Sequence, residues 1–206
     1  RRPPRSTLFP NTTLFRSAGI ENTYFGLGSS VADFNGDGWL DLYVSNDYLI
    51  PDYLWLNQGD GTFVDGIKQT MGHVSWFGMG CDLADLNNDG LEDLLVADMT
   101  PSDHVRNKML MAPMHPSQFY SLVNEKRYIP QYMFNTLQLN LGGGQYSEVA
   151  QLSGLAQSDW TWAVLLADFD LDGHKDVLFS TGFYRDIRDN DWRMKMSAAV
   201  REKQGK

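Results

Sequence analysis

Three nine-residue runs share the layout D-x-(D/N)-x-D-G-x-x-D: Asp33 to Asp41 (DFNGDGWLD), Asp85 to Asp93 (DLNNDGLED) and Asp168 to Asp176 (DFDLDGHKD). Oxygen-bearing side chains at alternate positions, closing on a glycine turn, form the donor set that wraps a hard cation such as Ca2+. Gly38, Gly90 and Gly173 let the backbone turn sharply enough to bring the later ligands around. Asp, Asn and Gly also favour plain turns, and that reading accounts for one loop. It does not account for three loops with oxygen side chains at the same four places. The spacing therefore predicts about three Ca2+ sites. The side-chain ligands are Asp33, Asn35, Asp37 and Asp41 in the first loop and Asp85, Asn87, Asp89 and Asp93 in the second. In the third they are Asp168, Asp170, Asp172 and Asp176, and the carbonyls of Trp39, Leu91 and His174 add one backbone donor to each set.

The loops begin like an EF-hand loop, but an EF-hand needs a bidentate Glu at its twelfth position and a helix on either side. The twelfth residues here are Val44, Val96 and Phe179, and the carboxylate falls at the ninth position instead. The flanks are Val31-Ala32, Leu83-Ala84 and Leu165-Leu166-Ala167 before the loops, and Leu42-Tyr43-Val44, Leu94-Leu95-Val96 and Val177-Leu178-Phe179 after them. Short apolar or β-branched runs bounded by Gly and Asp read as buried strands. Each metal loop is thus expected to be the turn of a strand–loop–strand hairpin.

A second motif recurs between the loops: Leu54 to Phe63 (LWLNQGDGTF) and Leu137 to Tyr146 (LQLNLGGGQY). Both read as a strand, a tight N-x-G-x-G turn and a second strand opening on an aromatic. Leu54 to Asp85 and Leu137 to Asp168 are each 31 residues, whereas Asp41 to Leu54 is 13 and Asp93 to Leu137 is 44. The 31 extra residues therefore lie between the second loop and the second hairpin. Without them the unit is about 52 residues (33 to 85) and four strands, the form of a β-propeller blade. The insertion, about 101–135, carries Met109, Met111, Met114, Tyr120, Tyr128, Tyr132 and Met133, with a short amphipathic helix expected over Pro116 to Lys126. It reads as a lid packed on the blade, or as a Met- and Tyr-rich contact surface.

With loops and hairpins in hand, the chain resembles the FG-GAP/VCBS repeat proteins, whose propellers include the head of integrin α-subunits. Gly26-Leu27-Gly28 through Asp33-Phe34-Asn35-Gly36-Asp37-Gly38 and Leu56-Asn57-Gln58-Gly59-Asp60-Gly61-Thr62-Phe63 carry the likeness. Ser45-Asn46-Asp47, Ala97-Asp98-Met99-Thr100-Pro101, Gln131-Tyr132-Met133 and Asp159-Trp160-Thr161-Trp162-Ala163 are similar to the bacterial branch related to cartilage acidic protein, whose members often end in an ASPIC/UnbV domain. The third repeat departs from the pattern, with Thr161 and Ala163 where the first two have Gly26/Gly28 and Gly78/Gly80. The resemblance implies a calcium-binding protein that is extracellular, periplasmic or at the cell surface.

The fold expected is all-β: a β-propeller fragment of about three four-stranded blades with Ca-binding hairpin loops and a partly helical insertion. Residues 18–192 form the propeller part, and 193–206 a charged helical C-terminal segment. Residues 1–17, where Thr7-Leu8-Phe9 recurs as Thr13-Leu14-Phe15, resemble a translated adapter scar and are set aside. Two nearly complete blades and part of a third fall short of the roughly 4–8 that close a propeller, so further blades are expected in a longer chain. No export signal or membrane-spanning run is visible, and the single Cys81 excludes an internal disulfide.

The net charge of −9 argues against nucleic-acid binding, which needs a basic stripe. Ten of the 26 acidic residues are loop ligands, so three Ca2+ would bring −9 + 6 to −3. His73, His104, His115 and His174 are dispersed, and neither a G-x-S-x-G nor a P-loop occurs. Asp47, Asp98 and Asp186 could pair for glycoside hydrolysis, although acids at strand ends are usually solvated. Trp55, Trp76, Trp160, Trp162 and Trp192 could stack on sugars, but in a blade repeat they more often fill the space between blades. The function expected is a non-catalytic binding and interaction scaffold for an unidentified protein or glycan. The alternative is the propeller part of a carbohydrate-active enzyme or lyase with its catalytic residues elsewhere.

Overall fold

The computed structural model describes residues 16–21, 24–110, 116–182 and 190–204. Most of the 1–17 segment, and Met111, Met114, His115 and Asp186, lie outside the described residues.

The apolar runs on either side of each acidic loop are strands, and the loop joins them. β1 (Phe25–Ala32) pairs antiparallel with β2 (Asp41–Asp47), which leads to β3 (Tyr53–Asn57) and β4 (Phe63–Asp65). These four make one sheet in the order β1-β2-β3-β4. After the two-residue β5 (Val74–Ser75), the pattern repeats with β6 (Cys81–Ala84) and β7 (Asp93–Val96). The insertion then ends in β8 (Gln131–Tyr132), followed by β9 (Thr136–Asn140) and β10 (Tyr146–Glu148). The second sheet has the matching order β6-β7-β9-β10, so the chain leaves a blade and returns to it across the insertion. β11 (Thr161–Ala167) and β12 (Asp176–Thr181) form the hairpin of the third metal loop. All three acidic loops close on one register: Ala32 opposite Asp41, Ala84 opposite Asp93, Ala167 opposite Asp176.

β7 shows why the blades must stack. Its four residues are all buried, and successive side chains of a strand point to opposite faces. Leu94 and Val96 join Ala32, Phe34, Tyr43 and Leu54 in one core cluster, between blades one and two. Leu95 and Ala97 join Leu137, Val164 and Leu166 in the other, between blades two and three. In blade one Tyr43 and Ser45 are buried, while among the described residues Phe25, Leu27 and Val31 are exposed. Trp55, Trp76 and Trp160 are buried, whereas Trp162 and Trp192 are about half exposed.

The first strands of successive blades crowd together. A Cβ on Gly28 would lie 2.8 Å from the Met79 carbonyl oxygen of the next blade, and one on Gly80 would lie 2.9 Å from Ala163 Cα. The glycines of the first two repeats are therefore needed for close approach.

The insertion is partly helical, with helices His104–Leu110 and Pro116–Tyr120 and a π-turn over Ser121–Glu125. Its last residues are built into the seam between blades. Ile129 belongs to the first core cluster, β8 pairs in parallel with β5, and Asn135 Oδ1 accepts the Asp98 N–H at 2.7 Å. No helix among the described residues is long and apolar enough to cross a membrane.

Candidate metal centre

Each acidic loop folds around its own first aspartate. In the first loop, Asp33 Oδ1 accepts the N–H groups of Gly36 (2.8 Å) and Asp37 (3.1 Å), and Oδ2 accepts that of Gly38 (2.7 Å). Asp85 does the same for Asp89 (3.0 Å) and Gly90 (2.9 Å), and Asp168 for Asp172 (3.1 Å) and Gly173 (2.9 Å). The fifth-position aspartates Asp37, Asp89 and Asp172 each accept the N–H two residues on, from Trp39, Leu91 and His174, at 2.8 Å. One sequence pattern thus gives one loop conformation three times. The fourth residue is left-handed in every copy: Gly36 at φ 76°, Asn88 at φ 59° and Leu171 at φ 63°.

The loops differ at the third position. Asn35 Nδ2 donates to Asp37 Oδ2, and Asn87 Nδ2 to Asp89 Oδ2, both at 2.8 Å. The side chain of Asp170 has no N–H to donate, and the third loop gathers carboxylates instead. Ligand oxygens of Asp168, Asp170 and Asp176 lie within 4.8 Å of one another. Among the described residues this is the one group of three acidic, histidine or cysteine side chains so arranged. The donors that converge in the loops are oxygens, on carboxylates, Asn amides and main-chain carbonyls, while the one ring nitrogen, His174 Nδ1, lies 3.1 Å from the Asn88 amide. That set fits a hard divalent cation such as Ca2+ and fits poorly a metal that wants nitrogen or sulfur.

The ninth-position aspartates do more than face the loop. Asp41 is 1% exposed; Oδ2 accepts Phe34 N–H at 2.9 Å and Oδ1 accepts Asn57 N–H at 2.8 Å. Asp93, fully buried, accepts Leu86 N–H at 3.0 Å and Asn140 N–H at 2.9 Å. Asn57 and Asn140 open the two N-x-G-x-G turns, and their side-chain amides donate back to the carbonyls of Leu40 and Glu92. One aspartate and one asparagine therefore clasp the metal loop to the outer hairpin of the same blade. Burial pushes the carboxyls of Asp41 and Asp93 up from the usual range, with the neighbouring loop aspartates adding to the rise. The clasp was not anticipated from the sequence, although the Asn at the head of both N-x-G-x-G turns was its visible trace.

Beyond the loops, two buried carboxyls lie at the opposite strand ends. Asp52 accepts the Tyr43 hydroxyl and the Asn46 N–H (2.8 Å), while Asp98 accepts the Ser75 hydroxyl at 2.5 Å and the Phe77 N–H at 3.1 Å. Both side chains are hydrogen-bonded within the fold.

The FG-GAP-like repeat family matches residues 33–96 and 123–179, together more than half of the chain and inclusive of all three loops. Integrin alpha-3 of Mus musculus is 32% identical over 84 residues, covering 35% of this chain and 8% of the integrin. Integrin alpha-3 of Cricetulus griseus gives the same identity and coverage. The chain thus spans less than a tenth of the length of these relatives.

Proposed function

This chain belongs to the FG-GAP-like repeat family, and from that premise we propose that it is a calcium-binding propeller module that serves as an extracellular or cell-surface scaffold for interaction with other molecules. The single observation that carries this reading is one loop geometry, built from oxygen donors alone, repeated at the same strand register in three successive blades. In each copy, the side chains at positions one, three, five and nine and the carbonyl at position seven would hold the ion. Bound calcium would neutralise the clustered carboxylates and pin the hairpin turn. The chain's own residues do the rest: Asp33, Asp85 and Asp168 shape the loop through its backbone N–H groups, and Asp41 and Asp93 tie it to the neighbouring hairpin. Calcium here is structural, the role of the module is binding and not catalysis, and further blades of the same kind complete the propeller.

Isothermal titration with Ca2+ tests this reading and ranks the sites. About three ions per chain are expected, the tightest at the third loop, because ligand charge is a main determinant of Ca2+ affinity and only that loop offers four carboxylates. Asp172→Asn should abolish the tightest phase, Asp37→Asn should leave it unchanged, and in Asp89→Asn it should still be present. Absence of any saturable calcium binding overturns the reading. A tightest phase that survives Asp172→Asn shows that loop rigidity, not charge, sets the order.

A further inference from the structure

The second and third loops touch. Asn88, the fourth residue of the second loop, points its amide at the third loop, where Nδ2 lies 3.1 Å from His174 Nδ1 and 3.4 Å from the Gly173 carbonyl oxygen. With the amide nitrogen as donor, the ring nitrogen of His174 accepts. We propose that this bridge couples the two calcium sites, so that filling the second loop favours filling the third and the reverse. The inference rests on the calcium reading above and goes beyond it by assigning a communicating residue that is not itself a ligand.

The coupling follows from where the two ends of the bridge lie. Asn88 sits between Asn87 and Asp89, two ligands of the second site, in a left-handed backbone conformation (φ 59°) that Asn tolerates better than most residues. Its position is thus fixed by whatever fixes Asn87 and Asp89. At the other end it holds the Gly173–His174 segment, whose next carbonyl is the backbone donor proposed for the third site. Ordering either loop therefore orders one wall of the other, and such coupling is reciprocal in binding free energy. The first loop provides an internal control. Its fourth residue is Gly36, with no side chain to reach out, and the seventh residue of the second loop is Leu91, with no ring nitrogen to accept. The first site should therefore fill independently.

Asn88→Gly tests the bridge. It keeps a residue suited to the left-handed backbone, leaves every proposed ligand in place, and reproduces the residue that the first loop already uses. Calcium titration of the full chain is followed through the amide resonances of Gly38, Gly90 and Gly173, one reporter per loop. The variant should shift the Gly173 midpoint about 2- to 10-fold towards higher calcium, the range of one net hydrogen bond, and leave the Gly38 midpoint where it was. Asp89→Asn, which weakens the second site, should move the Gly173 midpoint in the wild-type background and fail to move it in the Asn88→Gly background. A Gly173 midpoint that is the same with and without the Asn88 amide overturns the coupling, while calcium binding itself stands. If none of the three glycines responds to calcium, the metal reading falls and the coupling with it.

Discussion

Asp93→Ala is expected to lower stability by about 2–4 kcal/mol in urea denaturation, even with a chelator present so that loss of a metal ligand does not enter. Both oxygens of Asp93 accept backbone N–H groups, a buried one from Asn140 and a partly buried one from Leu86. The side chain is fully buried, so water cannot reach in to replace it. A buried donor left unsatisfied costs about 1–3 kcal/mol, and two are orphaned here. Relief of repulsion from Asp85 and Asp89, which helps push the Asp93 carboxyl up, takes back part of that cost. The Asp176→Ala variant serves as the comparison, because among the described residues Asp176 accepts a bond from Phe169 N–H (2.9 Å) and has no outer hairpin to clasp. Its cost should be about half or less. If Asp93→Ala changes the urea midpoint no more than Asp176→Ala, the clasp contributes nothing beyond the loop.

Asp52→Asn is expected to stabilise the protein at pH 8 and to flatten the fall in stability between pH 4 and 7. Asp52 is fully buried, and burial raises its pKa from 3.8 to about 7 against the lowering effect of bonds from Tyr43 and Asn46, with Asp98 across the seam adding to the rise. Tyr43 and Cys81 also face this pocket of charge, and neither supplies a cation. The folded state thus holds the proton more tightly than the unfolded state. Stability linked to Asp52 is full below about pH 4, declines as pH rises, and is lost above about pH 7. Three pKa units at 1.36 kcal/mol each bound the loss at about 4 kcal/mol. An Asn at this place keeps the acceptor for Asn46 N–H and carries no charge, so a gain of about 1–3 kcal/mol at pH 8 is expected. Blade two supplies the precedent. Asn135 stands two residues before Leu137 as Asp52 stands two before Leu54, and its Oδ1 accepts the Asp98 N–H as Asp52 accepts that of Asn46. Denaturation midpoints of the variant that fall with pH as steeply as those of wild type would show that another group, such as Asp98, governs the slope.

The parts of this fold that were legible in the sequence are local ones. A period-two strand, a D-x-(D/N)-x-D-G loop and an N-x-G-x-G turn each write their conformation within ten residues, and three copies reinforce one another. The all-β blade architecture followed directly from them. What could not be read is long-range. Asp93 looks like a ninth-position ligand, and its bond to Asn140 spans 47 residues across the insertion. The exchange of Asp52 for Asn135 and of Asn46 for Asp98 is invisible until the two blades are superposed position by position. Composition leaves the insertion as a packed lid or a contact surface and does not show where its end goes: Ile129 packs in the core and Val74 N–H bonds to the Pro130 carbonyl at 3.1 Å. Asn88 had no signal beyond being an Asn where the first loop has Gly.

If calcium holds these blades together, as proposed, differential scanning calorimetry of the full chain should show a later melt with calcium than with a chelator. Ligand that binds only the folded state stabilises by mass action, about 2.7 kcal/mol per site at a hundred times Kd. For a chain of 206 residues, each kcal/mol moves Tm by about 2–4 °C. Three sites filled at a hundred times Kd give about 8 kcal/mol, so saturating Ca2+ should raise Tm by about 16 °C or more over the chelated protein, and Mg2+ at the same concentration should achieve much less. Melting curves that coincide with and without chelator would show that the loops are acidic turns whose geometry needs no ion.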